Sequence, residues 1–339
     1  MKDKPILLCF GTRPEWLKIK PLIKLMDRSE YKLLFTGQHP DLLKNVEVDY
    51  RITMTSGMNR LDNIILDCMV QFPEGDFRGV LVQGDTGSAF ACALAAFNRQ
   101  IKIYYLEAGL RSGNLQHPYP EEGYRQMIAR IADVNFTPTQ LSAQNLKDER
   151  VHGNIHIVGN SVLDNLVEFG KPTMLNKILI TLHRRENHHW MNEWFEEIEK
   201  LAIEYPHYEF IIPIHPNPNV QKHRHILKNV TVVEPLEHNE LIKILMESNL
   251  IISDSGGLQE EGSFFNKKVI VCRKTTERQE SVGITSFICE KPELLEDLVD
   301  KINNDYIINT ECPYVISNTD KCSSNIIKKI PFFFKKTCW

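Results

Sequence analysis

A chain of 339 residues is longer than one ordinary hydrophobic core supports, so two domains are the expectation. Its 42% hydrophobic and 25% charged residues match a soluble globular protein, and no apolar run approaches the roughly 18 residues of a spanning helix. The formal net charge of −4 gives no ground for nucleic acid or an anionic membrane as partner. Residues 6–10 are apolar but too short for a signal peptide, and no cleavage-like site follows them. The eight cysteines form no CxxC pair, and Cys9 and Cys272 fall in apolar strand-like runs. Small buried thiols of that kind suit a reducing, cytoplasmic compartment.

In chain order, residues 6–10 predict a buried parallel strand that runs into Gly11-Thr12-Arg13-Pro14-Glu15. Thr12 and Glu15 have capping-box spacing, Pro14 suits a first turn, and Pro21 predicts a kink or a second helix start. The unit then repeats. Residues 80–82 lead into Gly84-Asp85-Thr86-Gly87-Ser88 and an alanine-rich helix over 89–97. Residues 103–106 lead into a loop with Glu107, Gly113, Pro118 and Pro120, then a helix from Glu121 to about Ala132. Further strands at 134–136 and 155–158 flank a helix near 141–147.

Between 167 and 176 the pattern loosens, and Gly170 and Pro172 suggest a linker. A second series starts with a strand at 178–182, ending in His183-Arg184-Arg185-Glu186-Asn187 and a helix to about Tyr205. Strands at 210–214, 230–233, 250–253 and 269–272 follow, with helices near 240–248, from Leu258, and near 293–303. A helix near 323–330 and a tail close the chain. Alternating strands and helices predict an α/β fold with one parallel sheet in each half, and ligands at the carboxyl ends of the strands. Two such domains facing across a cleft would place the site between them.

The candidate chemistry lies at those strand ends. Ser255-Gly256-Gly257 follows a strand and opens a helix, where backbone N–H groups attract a diphosphate. A tight strand–helix turn would account for the same residues. Glu261, a turn further on, is placed to accept hydrogen bonds from sugar hydroxyls such as those of a ribose. Arg13, His183 and Arg278 add positive or donor groups along the same rim, suggesting a clamped diphosphate. Asp85, Glu107, Glu121 and Glu122, with Lys18, are the acid–base candidates, since carboxylates gathered in one crevice raise one another's pKa. Separately solvated rim charges are the alternative. Among them Glu107 and Glu121 are the sharper choices, and Glu122 reads as a helix-start charge. No GxSxG, Cys–His or HExxH pattern occurs, so neither an activated nucleophile nor a metal site is expected.

In this order the chain carries FGTRPE with Lys18, GDT, EAGLRSG, PYPEE with Arg125, HRREN, HPNPNV, DSGGLQEE and TTER. Over residues 6 to about 290 it resembles the non-hydrolysing UDP-N-acetylglucosamine 2-epimerase family. The resemblance implies two Rossmann-like domains of the glycosyltransferase-B type, an interdomain site and a homodimer. It divides the chain into 1–167 with the acid–base residues, 177–322 with the UDP site, and 323–339 as a helix and tail. Packing of that tail back on the N-terminal domain is one option. It assigns Arg13, His183, Ser255, Gly256, Gly257 and Arg278 to UDP, Glu261 to the ribose, and Lys18, Asp85, Glu107, Glu121 and His183 to the sugar and its protons.

The implied reaction needs no cofactor and no metal. UDP leaves C1 while a base takes the C2 proton, giving a 2-acetamidoglycal, and UDP re-adds as a proton arrives on the other face. UDP-GlcNAc to UDP-ManNAc is the simplest case. A 6-deoxy or L-configured UDP-HexNAc, a hydrolysing epimerase and a glycosyltransferase of the same fold are the alternatives. The chain departs from the family in reading EEGYR for EEANR, in Trp16, and in Leu236-Glu237-His238-Asn239-Glu240-Leu241, where uracil contacts are expected. Gly123, Tyr124 and Trp16 would leave room for a modified sugar.

Overall fold

The computed structural model describes residues 4–39, 46–57, 59–304 and 322–330. It divides into two compact units. The first runs to Glu168 and takes in the C-terminal segment from Tyr314, and the second is Phe169–Pro313.

In the first unit β1 (Ile6–Phe10), α1 (Arg13–Ile23), β2 (Tyr31–Phe35), β3 (Tyr50–Arg51) and α2 (Arg60–Val70) are followed by β4 (Gly79–Gln83) and α3 (Gly87–Asn98). Then come β5 (Ile103–Leu106), α4 (Glu121–Ile131), β6 (Val134–Thr137), α5 (Gln140–Asp148) and β7 (Asn154–Ile157). The strands form one parallel seven-stranded sheet in the order β3-β2-β1-β4-β5-β6-β7. Alternation along β1 shows why its sequence is apolar throughout. Ile6, Leu8 and Phe10 enter the core on one face, and Leu7 and Cys9 enter the core on the other. Helix α3 is buried on most of its circumference, and its alanines let α2 and α4 approach it closely.

Helix α1 keeps the Glu15 half of the capping box that Thr12 and Glu15 predict, the Glu15 carboxylate accepting the Thr12 N–H at 2.9 Å, and Pro21 neither breaks nor restarts the helix. A proline at 21 has no N–H for the carbonyl of Leu17. That carbonyl accepts from the Asn165 side chain at 2.8 Å instead, and the Ser161 hydroxyl donates to the Lys18 carbonyl at 2.7 Å. With the orphaned acceptor satisfied from outside, the helix runs on to Ile23.

The second unit contains β8 (Lys177–Thr181), α6 (Met191–Glu204), β9 (Glu209–Pro213), the single turn α7 (Pro218–Gln221), β10 (Thr231–Val233) and α8 (His238–Glu247). It continues with β11 (Leu250–Ser253), α9 (Gly256–Phe264), β12 (Lys268–Val271), β13 (Ser286–Ile288) and α10 (Leu295–Asn304). Its sheet is also parallel, six-stranded, in the order β10-β9-β8-β11-β12-β13. The helix predicted directly after β8 is a 3-10 stretch, Arg185–Trp190, before α6 begins at Met191. Asp254 claims the backbone there: its Oδ2 accepts from the N–H groups of His183 at 2.9 Å and Arg184 at 2.8 Å.

The last described element, α11 (Cys322–Lys329), belongs to the first unit, where it packs on α1 and on the 3-10 turn Ser161–Asn165. The tail expected after it, 331–339, and residues 305–321 of the expected second domain lie outside the described residues. Each sheet reverses its direction of build once, between β1 and β4 in the first unit and between β8 and β11 in the second. Ligands of open α/β sheets sit at the carboxyl ends of the strands beside such a switch point.

Candidate active site

At the first switch point, β1 ends in Gly11-Thr12-Arg13 and β4 in Gly84-Asp85-Thr86. Gly11 is required by packing, because a Cβ there would lie 2.1 Å from the Thr36 hydroxyl oxygen. Glu15 ties the two turns together. Its Oε2 accepts from the N–H groups of Gly11 at 2.5 Å and Thr12 at 2.9 Å, and its Oε1 accepts from the Thr86 hydroxyl. Burial raises its pKa to about 7, against the lowering effect of those donors.

Glu107 follows β5 with φ of +68°, a backbone state uncommon for a side chain with a Cβ. Its carboxylate is held from both sides. Lys18 Nζ, one turn into α1, lies 2.5 Å from Oε1, and the Gln83 amide donates to Oε2. Asp85 receives Arg125 Nε at 2.8 Å and Nη2 at 2.5 Å. The same guanidinium donates to Glu122 at 3.1 Å, and Glu122 also accepts the Ser112 N–H at 3.0 Å. Glu122 is fully buried, so it holds the loop and Arg125, whereas Glu121 opens α4 beside it. Arg111 of that loop is fastened to Glu149 at 2.6 and 2.8 Å.

At the second switch point, His183 and Asp254 face one another. His183 Nδ1 lies 3.4 Å from Asp254 Oδ1, and the ring stacks on His215 at 5.1 Å and 14°. Burial pulls the His183 pKa below its ordinary value, with Asp254 opposing, so the imidazole is neutral at pH 7. Ser255 precedes α9 without using its hydroxyl as a cap. The helix start is shaped by what lies behind it: a Cβ on Gly256 would lie 2.5 Å from Arg278 Nη1, while one on Gly257 would meet nothing nearer than Ser255 Oγ at 3.8 Å. Gly257 is therefore bare toward its outer side. Arg278 itself pairs with Glu260 at 2.9 Å and with Glu277. Gln259 fixes the same segment, donating to the Arg278 carbonyl at 3.0 Å and accepting from Thr276 at 2.8 Å. Glu261 turns instead to His238, whose Nε2 is 2.7 Å from its Oε1.

Of the residues expected from the sequence, Lys18 meets Glu107 directly, and Gly256 lies against Arg278. Asp85, His183 and Glu261 are each held by a partner that the sequence reading leaves out of the site: Arg125, Asp254 and His238. Arg13 and Glu121 stand at the first positions of α1 and α4. Glu15, Gln83, Asp254 and His215 also belong to the surroundings. Among the described residues no group of three or more His, Cys, Asp or Glu side chains is arranged to hold a metal ion.

Comparison with known proteins decides the family. A family model described as UDP-N-acetylglucosamine 2-epimerase matches residues 24–328. The chain is 37% identical over 331 residues to the UDP-N-acetylglucosamine 2-epimerase of Campylobacter jejuni, covering 84% of this chain and 86% of that one. It is 34% identical over 360 residues to the Neisseria meningitidis enzyme of the same name, covering 93% and 97%. The chain belongs to the UDP-N-acetylglucosamine 2-epimerase family. A crystal structure of the Neisseria meningitidis epimerase bound to UDP-GlcNAc matches with a TM-score of 0.84 at 31% identity, covering 96% of this chain and 98% of that one. The Methanocaldococcus jannaschii epimerase, in complex with UDP-GlcNAc and UDP, matches with a TM-score of 0.80 at 26% identity, covering 96% and 99%. The fold is thus that of these isomerases, two parallel-sheet α/β units of the glycosyltransferase-B kind. Two departures from the family pattern resolve into packing. Tyr124 stacks on Phe90 at 4.8 Å and 9° within the core, and Trp16 packs on Phe10 at 4.9 Å. Tyr124 therefore adds to the hydrophobic core.

Proposed function

We propose that this epimerase-family chain inverts C2 of UDP-N-acetylglucosamine to give UDP-N-acetylmannosamine, with UDP leaving and returning. What supports the proposal is Lys18 on Glu107 at the end of β5 and Arg125 joining Asp85, after β4, to Glu122 in the first turn of α4, the turn that Glu121 opens. The C2 proton lies beside an acetamido nitrogen, where no carbonyl acidifies it. Departure of UDP from C1 makes its removal feasible, because the electrons of the C2–H bond form the glycal double bond as the C1–O bond breaks. One carboxylate takes the proton, and a protonated partner delivers one to the opposite face of C2 as UDP re-adds. The Lys18 ammonium holds the Glu107 carboxylate from one side. The neutral His183 imidazole can donate a hydrogen bond or exchange a proton.

In this reading the second unit holds the leaving group. The α9 N-terminus with Ser255, Gly256 and Gly257 takes the diphosphate, Arg278 lends its charge from behind, His183 adds a donor, and Glu261 takes the ribose. A homodimer and a cytoplasmic location belong to the same proposal. No described helix is long and apolar enough to cross a membrane.

The test is incubation with UDP-GlcNAc in D2O. One deuterium should enter C2, read by proton NMR and mass spectrometry, with the epimer still carrying UDP. Asp85→Asn and Glu121→Gln should each lower exchange at least a hundredfold with UDP affinity kept within about threefold, as expected for lost acid–base groups. Free UDP and free sugar as the products, or no exchange, would count against the proposal.

A further inference from the structure

His238 lies in the segment where uracil contacts are expected from the resemblance, and it touches Glu261, the proposed ribose contact. It is the first residue of α8, and its Nε2 lies 2.7 Å from Oε1 of Glu261, a residue of α9. Both side chains are largely buried, 14% and 7% exposed. An ionised carboxylate only accepts hydrogen bonds, so the histidine ring N–H is the donor. The bond occupies one oxygen of Glu261 and leaves the other able to accept. Glu261 lies five residues beyond Gly256, about 7.5 Å along the helix axis. That is on the scale separating a ribose from its diphosphate.

We propose that His238 is a positioning residue for nucleoside recognition. It holds Glu261 in one orientation, so that the second carboxylate oxygen accepts the hydroxyls of the ribose. The proposal rests on the reading of α9 as the UDP site.

The experiment is calorimetric titration with UDP and with a UDP analogue lacking both ribose hydroxyls. The proteins are the full-length chain, His238→Ala, His238→Gln, Glu261→Gln and the double variant His238→Ala with Glu261→Gln. The unsubstituted chain should bind UDP about tenfold or more tighter than the analogue, as for hydrogen bonds to a charged acceptor. His238→Ala should reduce that ratio below about threefold while leaving analogue affinity unchanged, which also shows that the variant is folded. His238→Gln, whose amide can still donate, should restore most of the ratio. Glu261→Gln should lose it, and the double variant should lose no more than either single change. A ratio in His238→Ala equal to that of the unsubstituted chain overturns the proposal. A larger ratio also overturns it, because His238 would then compete with the ribose. If the unsubstituted chain binds no UDP, the underlying reading fails instead, so the two failures are distinguishable.

Discussion

Glu15 concentrates what is unusual at the scale of single residues. It is 1% exposed and ties the ends of β1 and β4, yet burial lifts its pKa from 4.5 to about 7. A raised carboxylate pKa means that the folded chain binds the proton more tightly than the unfolded chain. Stability is then greatest below the unfolded value and falls as pH rises from about 4.5 through about 7, by about 3 kcal/mol if Glu15 acted alone. Urea unfolding at several pH values between 4.5 and 8 should show this decline in the first unit's transition. Glu15→Gln, which cannot ionise, should flatten it, and an identical slope in that variant would show that the decline arises elsewhere. The motifs made Asp85, Glu107 and His183 visible in the sequence because each stands beside a strand end, and Lys18 because it follows the turn after β1. Their partners were less visible, since Gln83 and Glu107 lie 24 positions apart, Asp85 and Arg125 lie 40 apart, and His183 and Asp254 lie 71 apart. No spacing rule links such pairs; only the sheet order brings them together.

At the scale of elements, adjacent glycines of α9 answer to different demands. Gly256→Ala drives a Cβ into the Arg278 guanidinium and should cost roughly 1–3 kcal/mol, as overpacking does, along with UDP affinity. Gly257→Ala meets no such obstacle, so its thermal midpoint should stay level or rise slightly, while UDP binding weakens if the diphosphate approaches that backbone. Paired melting curves and UDP titrations separate the two, and equal loss of midpoint in both variants would refute the distinction. In α4, Tyr124→Ala should cost about 3–5 kcal/mol through lost burial and stacking on Phe90, with no change in preference among UDP-sugars. A changed preference would place Tyr124 at the sugar after all. The elements themselves were legible where an apolar run ended in glycine or a polar turn. The patterning did not bring out β2, which carries Lys32, or β3 and β13, which span two and three residues, or α2. Edge strands this short carry too few residues for alternation to show, and their pairing with β2 and β12 is what makes them strands.

At the scale of the whole molecule, the chain leaves the first unit near Glu168 and re-enters it with α11. The first sheet needs that return. Ile326 and Ile330 are buried in the core face formed by Ile6, Leu8 and Phe10 of β1, with Ile19 and Leu22 of α1. Without α11 those side chains would lose part of their cover, and a parallel sheet needs both faces covered. Asp164 fixes the helix start, accepting the N–H groups of Cys322 at 2.9 Å and Ser323 at 2.7 Å and the Ser323 hydroxyl at 2.5 Å. Ile326→Ala removes buried methyl groups and should cost about 2–5 kcal/mol, whereas Asp164→Ala strands buried donors and should cost about 1–3 kcal/mol. Two units need not unfold in one step, so a single midpoint is the wrong readout. Hydrogen exchange resolved by strand is the suitable one. Both variants should speed exchange in β1, β2 and β4 while leaving β8, β9 and β11 at their original protection. The combined variant should cost less than the sum of the two, because each loosens the same helix. Equal loss of protection in both sheets would mean that α11 supports the chain as a whole and not the first unit's core.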